Sequence, residues 1–191
     1  MKRTKTEVIT QICREVNQDD QQVKDFQQLS EDVLRYRSNP KQWSVLDCLE
    51  HINMFYADYF SRMEPAIRRA SPSDCTVYTP GFIAQKMVDG LRPQRNRRRM
   101  KIKTFARMTP ATDDKSSTLI FSAYFQYHAQ LKQLLEQSKA LNWNRVKVAS
   151  AIGSILRFKL GDCFQLLTAH TERHLLQCQE VLSARPEKQH V

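Results

Sequence analysis

The sequence predicts an all-α chain: a four-helix bundle with a long irregular connection between helices two and three. Three observations carry this expectation. Apolar residues recur at three- and four-residue steps in four separate stretches. A capping-box signature, Ser44 with Asp47 three residues on, opens the second of them. Helix breakers gather in one segment, residues 71–117, which holds Pro72, Pro80, Pro93 and Pro110 together with Gly81 and Gly90.

The first helix is expected over residues 4–30, on the spacing of Val8, Ile12, Val16, Val23, Phe26 and Leu29. Residues 35–42 read as a polar connector, because Asn39-Pro40 cannot continue a helix. From Ser44 to about residue 70, Leu46, Leu49, Ile52, Tyr56, Tyr59 and Met63 build a long apolar face. Residues 71–117 should pack across the bundle, with a short helix near 82–88, since a connection this long rarely floats. A third helix is expected over 118–139 and is broken by Asn142-Trp143-Asn144. Residues 145–153 read as a loop, 154–183 as the fourth helix, and 184–191 as a polar tail. The length suits a single domain over residues 1–191.

Composition excludes several classes. The four glycines, Gly81, Gly90, Gly153 and Gly161, never cluster, so no Gly-rich phosphate cradle can form. Five cysteines stand singly with no C-x-x-C pair, which points to reduced thiols in a cytoplasmic setting rather than a disulfide framework. No apolar run of leader length follows the basic start, and no stretch reaches the ~18 apolar residues of a membrane span, so no membrane association is expected. The chain carries 30 Lys and Arg against 20 Asp and Glu, a net charge of +10. Seven of those bases lie in residues 92–103, including Arg97, Arg98 and Arg99, which form a candidate anion or phosphate patch. No aromatic residue interleaves with them for base stacking, so a solvated loop or a subunit contact is preferred to nucleic-acid binding.

The chemistry is carried by His170-Thr-Glu-Arg-His174. Histidines at i and i+4 emerge on one helix face, one turn apart, a spacing that can offer two imidazoles to one metal. Leu156, Leu160, Cys163 and Leu167 lie on the same stripe, so the pair should point inward. A buried pair needs either a metal or a hydrogen-bond network to satisfy its nitrogens. His51, near the start of the second helix, is a candidate third ring. His128, flanked by Gln126, Tyr127 and Gln130, reads as a surface or boundary residue. A zincin-type site is excluded, because Thr171 stands where that motif needs its Glu, and Glu172 is rotated ~200° away. Glu172 reads as a surface partner for Arg173 or for a loop. Cys48 and Cys163 read as small core residues, and Trp43 and Trp143 as anchors at helix ends.

These residues carry a resemblance. Trp43-Ser-Val-Leu-Asp-Cys-Leu-Glu-His51 resembles the "W-S-x-x-E-x-x-x-H" motif of the DinB/YfiT-like metalloenzymes, with Asp47 where Glu is common. The run from His170 to Gln177 is similar to that family's "H-x-x-H/R-H-x-x-Q" signature, and residues 101–110 resemble a loop of its DinB_2-type branch. The resemblance implies up-down-down-up helix order and frequent homodimers. It also implies a divalent metal, commonly zinc or nickel, on three histidines that map to His51, His170 and His174. Some relatives are thiol-dependent S-transferases or isomerases that use a low-molecular-weight thiol.

Three imidazoles with an open fourth position describe a catalytic rather than a closed structural site. The expected function is thus a metal-dependent enzyme, with thiol S-transfer favoured because no general base is visible nearby. Gln177 is a candidate hydrogen-bond partner for the ligands. A non-catalytic bundle that binds metal or a small ligand is the alternative, and a basic nucleic-acid binder ranks third.

Overall fold

The computed structural model describes residues 2–94, 104–151 and 153–186. It is mostly helical, with six α-helices and two small antiparallel sheets among the described residues. The helices are α1 (Lys5–Gln27), α2 (Glu31–Arg35), α3 (Val45–Arg68), α4 (Phe82–Leu91), α5 (Ser117–Gln137) and α6 (Leu160–Ser183). The strands are β1 (Arg3–Thr4) paired with β2 (Val77–Tyr78), and β3 (Lys147–Ser150) paired with β4 (Gly153–Lys159).

Local chemistry sets the helix starts. Thr4 caps α1 and Ser44 caps α3, each through a capping box closed by Glu7 and Asp47 respectively. Asp47 also ion-pairs with Arg37 at 2.8 Å and accepts the Thr112 hydroxyl, which ties the start of α3 to the connectors on either side. Burial pushes the Asp47 carboxyl up, but hydrogen bonds from Arg37, Thr112 and Ser44 outweigh it and hold the group below the usual carboxylate range.

The long helices share one core. α1 and α3 each pack against both α5 and α6, and α4 lies against α6. Val8, Ile12, Leu49, Ile52, Leu131 and Leu167 are fully or almost fully buried there. The described part of the connection between α3 and α5 packs on the rest of the chain, with β2 paired to β1 and α4 against α6. The anchor of this connection is the Asp162 carboxylate in the first turn of α6. Asp162 accepts the Tyr78 hydroxyl, the Gly81 amide at 2.9 Å and the Lys159 amide at 3.1 Å.

Three expectations need correction. Residues 147–159 form a β-hairpin rather than a loop running into a helix, so α6 starts at Leu160 and not near 154. Val148 and Phe158 pair across the hairpin and are buried, while the other face is open. His128 is 1% exposed, not a surface residue. Its Nδ1 lies 2.6 Å from Asp20 Oδ1 on α1, a hydrogen-bond partner 108 positions away in sequence.

Candidate metal centre

His51 sits one turn after Asp47 on α3, so the cap that fixes the helix start also fixes the ring. α6 supplies His170 and His174 on the face it turns toward α3. All three rings are buried, and one nitrogen from each lies within 4.8 Å of the others. Ring centroids are 4.9 Å apart for His51 and His170, 4.6 Å for His51 and His174, and 4.5 Å for His170 and His174. The group contains no carboxylate.

The hydrogen bonds set the tautomers. His51 Nδ1 donates to the Met108 carbonyl at 2.7 Å, which leaves Nε2 with its lone pair exposed to the other rings. His174 Nδ1 donates to Gln177 Oε1 at 3.1 Å, which leaves the lone pair on its Nε2. His51 Nε2 lies 3.1 Å from His170 Nε2. Two nitrogens bound to one tetrahedral zinc at ~2.1 Å stand about 3.4 Å apart, so this spacing suits a shared cation. His170 Nδ1 is buried with no hydrogen-bond partner among the described residues. Burial lowers the pKa of His51. Burial, then the neighbouring His174, His51 and Arg173 charges, holds His170 well below the usual histidine range. Both rings are therefore neutral at pH 7, the form that binds a metal.

Aromatic rings pack around the cluster. Phe55 stacks on His170 at 3.8 Å and 12°, and Trp43 lies 4.8 Å from His51 and 5.7 Å from His174. Trp43 is thus part of the site's wall, not only an anchor at a helix end. A cavity of about 1050 Å³ opens beside the rings, bounded by α4 and by residues 104–109.

The sequence-predicted residues separate clearly. His51, His170, His174 and Gln177 come together. Arg173, expected at the surface, is buried and lines the cavity. Glu172 pairs with Arg92 at 3.1 Å, and Arg92 also binds Glu15 at 2.9 Å. Arg97, Arg98 and Arg99 lie outside the described residues. Cys48 and Cys163 are core residues, and burial pushes the Cys163 thiol up, away from nucleophilic chemistry. Trp43, Phe55 and Met108 were not singled out as site residues by sequence reasoning. Phe55 had a signal, since it falls one turn after His51 on the same face. Met108 had none, because it acts through its backbone.

The sequence profile of the DinB superfamily matches residues 20–178. The chain belongs to the DinB superfamily. The match spans both histidine-bearing helices, α3 and α6, and the connection that supplies the Met108 carbonyl. Comparisons with curated proteins and with solved structures found no match. No helix among the described residues is long and apolar enough to cross a membrane.

Proposed function

We propose that this DinB-superfamily chain is a metal-dependent enzyme that holds one divalent ion, zinc or nickel, on His51, His170 and His174 and acts on a thiol cosubstrate. The observation that carries this reading is the convergence of one nitrogen from each of three buried rings within 4.8 Å, with the Nδ1 protons of His51 and His174 held by the Met108 carbonyl and Gln177. Burial holds His51 and His170 in the neutral form that a metal needs, and the group of three rings contains no carboxylate to share their protons.

Such an ion supplies Lewis acidity that favours the deprotonated form of a thiol. The chain's own residues do the rest. Met108 and Gln177 hold protons at Nδ1 of His51 and His174 and so fix which nitrogen faces the ion. Trp43 and Phe55 shield the rings from bulk water and limit their rotation. Arg173 places a permanent positive charge at the cavity wall that favours an anionic reactant. A thiol suits this site better than water, because water activation benefits from a neighbouring carboxylate base and the cluster has none.

The proposal includes one domain over residues 1–191, in which α1, α3, α5 and α6 form a four-helix bundle of up-down-down-up order. It includes a reducing cytoplasmic setting, supported by five free cysteines. It also includes a homodimer, supported by the outward Ile155 and Leu119 side chains. Nucleic acid is not among the proposed partners, because Arg92, the first base of the 92–103 run, is engaged by Glu15 and Glu172.

Elemental analysis of untagged protein tests the reading: about one divalent ion per chain is expected, lost in His170→Ala and His174→Ala. Metal-free wild type whose stability ignores chelator overturns it. Full metal loading with no turnover across panels of thiols and electrophiles leaves a non-catalytic metal-binding bundle.

A further inference from the structure

We infer that the cavity beside the three histidines takes an anionic amphiphile, its charged head between Arg173 and the imidazoles and its apolar chain along α4. The placement of the head rests on the metal-site reading above; the placement of the chain rests on the cavity itself.

The cavity is large for three imidazoles. Its volume of about 1050 Å³ is at the upper end of what a drug-sized ligand fills. α4 forms one wall and is apolar on two faces. Ala84 and Val88 are buried on one of them, and α4 packs on α6. Phe82, Ile83 and Met87 line the cavity outside that face, and Leu91, buried with Ala84 and Val88, borders it at the far end of the helix. A helix apolar on both faces is normally covered on both. Here Phe82 is 78% exposed and Ile83 55% exposed, and Phe105 across the cavity is 52% exposed. Three of the six exposed large hydrophobic side chains among the described residues thus border one opening. An apolar segment lying there would remove them from water together. From residue 82 to residue 91 the wall runs about 14 Å, which asks for an elongated chain rather than a small ring.

The deep end has the opposite character. Arg173 lies with His51, His170 and His174, and Lys41 and Lys86 add positive charge along the lining. Glu180 is the one carboxylate lining the cavity among the described residues. A carboxylate head complements that balance through charge-assisted hydrogen bonds to a guanidinium. The burial of Arg173 keeps its field strong at the head position.

The full chain, with and without one equivalent of zinc, is titrated with straight-chain monocarboxylates from hexanoate to dodecanoate, and with decanol, below their micelle-forming concentrations. Trp43 fluorescence is the readout, since Trp43 lies over the cluster while Trp143 is fully buried and packs on Tyr78 and Phe164. Trp43→Phe assigns the signal. Affinity is expected to rise about three- to fourfold per added methylene until the wall is covered. Decanoate is expected to bind about tenfold tighter than decanol. Phe82→Ser with Ile83→Ser, both open positions, should flatten the chain-length series. Arg173→Gln should erase the preference for decanoate over decanol, and Arg173→Lys should keep part of it, each with its fold checked by circular dichroism. A flat series, or equal binding of decanol and decanoate, overturns the inference. A flat series in protein that takes up zinc leaves the metal reading standing. A steep series in protein that takes up no zinc removes the metal reading and keeps the amphiphile.

Discussion

His51 on α3 donates from Nδ1 to the backbone carbonyl of Met108 at 2.7 Å, a bond between residues 57 positions apart. The connection between α3 and α5 therefore orients the first of the three rings. On the proposed function, metal affinity is coupled to the packing of that connection as well as to the three side chains.

Ligand linkage gives the first prediction. A metal that binds only the folded chain stabilises it by about 2.7 kcal/mol at a free concentration 100 times Kd. For a chain of this size that is about a 5–10 °C rise in Tm. Thermal unfolding with zinc should show this rise for wild type and none for His170→Ala or His174→Ala. A comparable rise in both variants would place the metal elsewhere.

Gln177 fixes the orientation of His174 without being a ligand itself. Gln177→Leu keeps the volume and removes the acceptor. Metal affinity is expected to fall about 10- to 100-fold, with stoichiometry unchanged at saturation. Competition against a chromophoric chelator measures both, and an unchanged affinity would remove Gln177 from the site.

Asp19 makes stability pH-dependent. Burial, then the Glu172, Glu15 and Asp20 carboxylates, pushes its carboxyl up to about 8, against the pull of Arg92. In the unfolded chain it titrates near ~3.9. Between these values the folded state holds a proton that the unfolded state releases. Stability from this group is thus fully present below about pH 4 and is lost as pH rises to about 8. Asp19→Asn should remove that decline and stabilise the chain at pH 8 by at least about 1 kcal/mol. Urea unfolding of both proteins at pH 5 and pH 8 reads the difference, and parallel curves at the two pH values would count against it.

Gly161 gives a packing prediction. A Cβ there would lie 2.5 Å from the Tyr78 ring and 2.9 Å from Trp143. Neither ring can easily give way: Tyr78 is held by Asp162 and by Gln165 at 2.9 Å, and the Trp143 indole donates to the Ser138 carbonyl at 3.0 Å. Gly161→Ala should therefore destabilise by about 1–3 kcal/mol, although alanine is the better helix former. Chemical denaturation measures it, and a stabilised variant would mean that the rings relax.

The parts legible in the sequence were those set by neighbours along the chain. The Ser44–Asp47 cap, the apolar spacing of α1 and α3 and the His170–His174 pair are all local patterns, and each appears where expected. The hairpin was missed for a physical reason. Phe158 stands between Arg157 and Lys159, but Val148 is followed by Ala149, so the alternation is too short to stand out, and Leu156, Leu160 and Cys163 also fit a helical period. The burial of His128 depended on Asp20, on another helix, which no local pattern reveals. Arg173 reads from the sequence first as a surface ion-pair partner and second as an anion binder near the pocket, and its burial and place in the cavity lining favour the second.

The Asp162 carboxylate gathers Tyr78, Gly81 and Lys159 into one knot, and α4 begins directly after Gly81. That knot joins segments about 80 positions apart, so it can close only once the amino end of α6 exists. Closure of the α4 wall of the cavity is therefore expected to follow the return of helical signal on refolding, because its anchoring contacts are long-range.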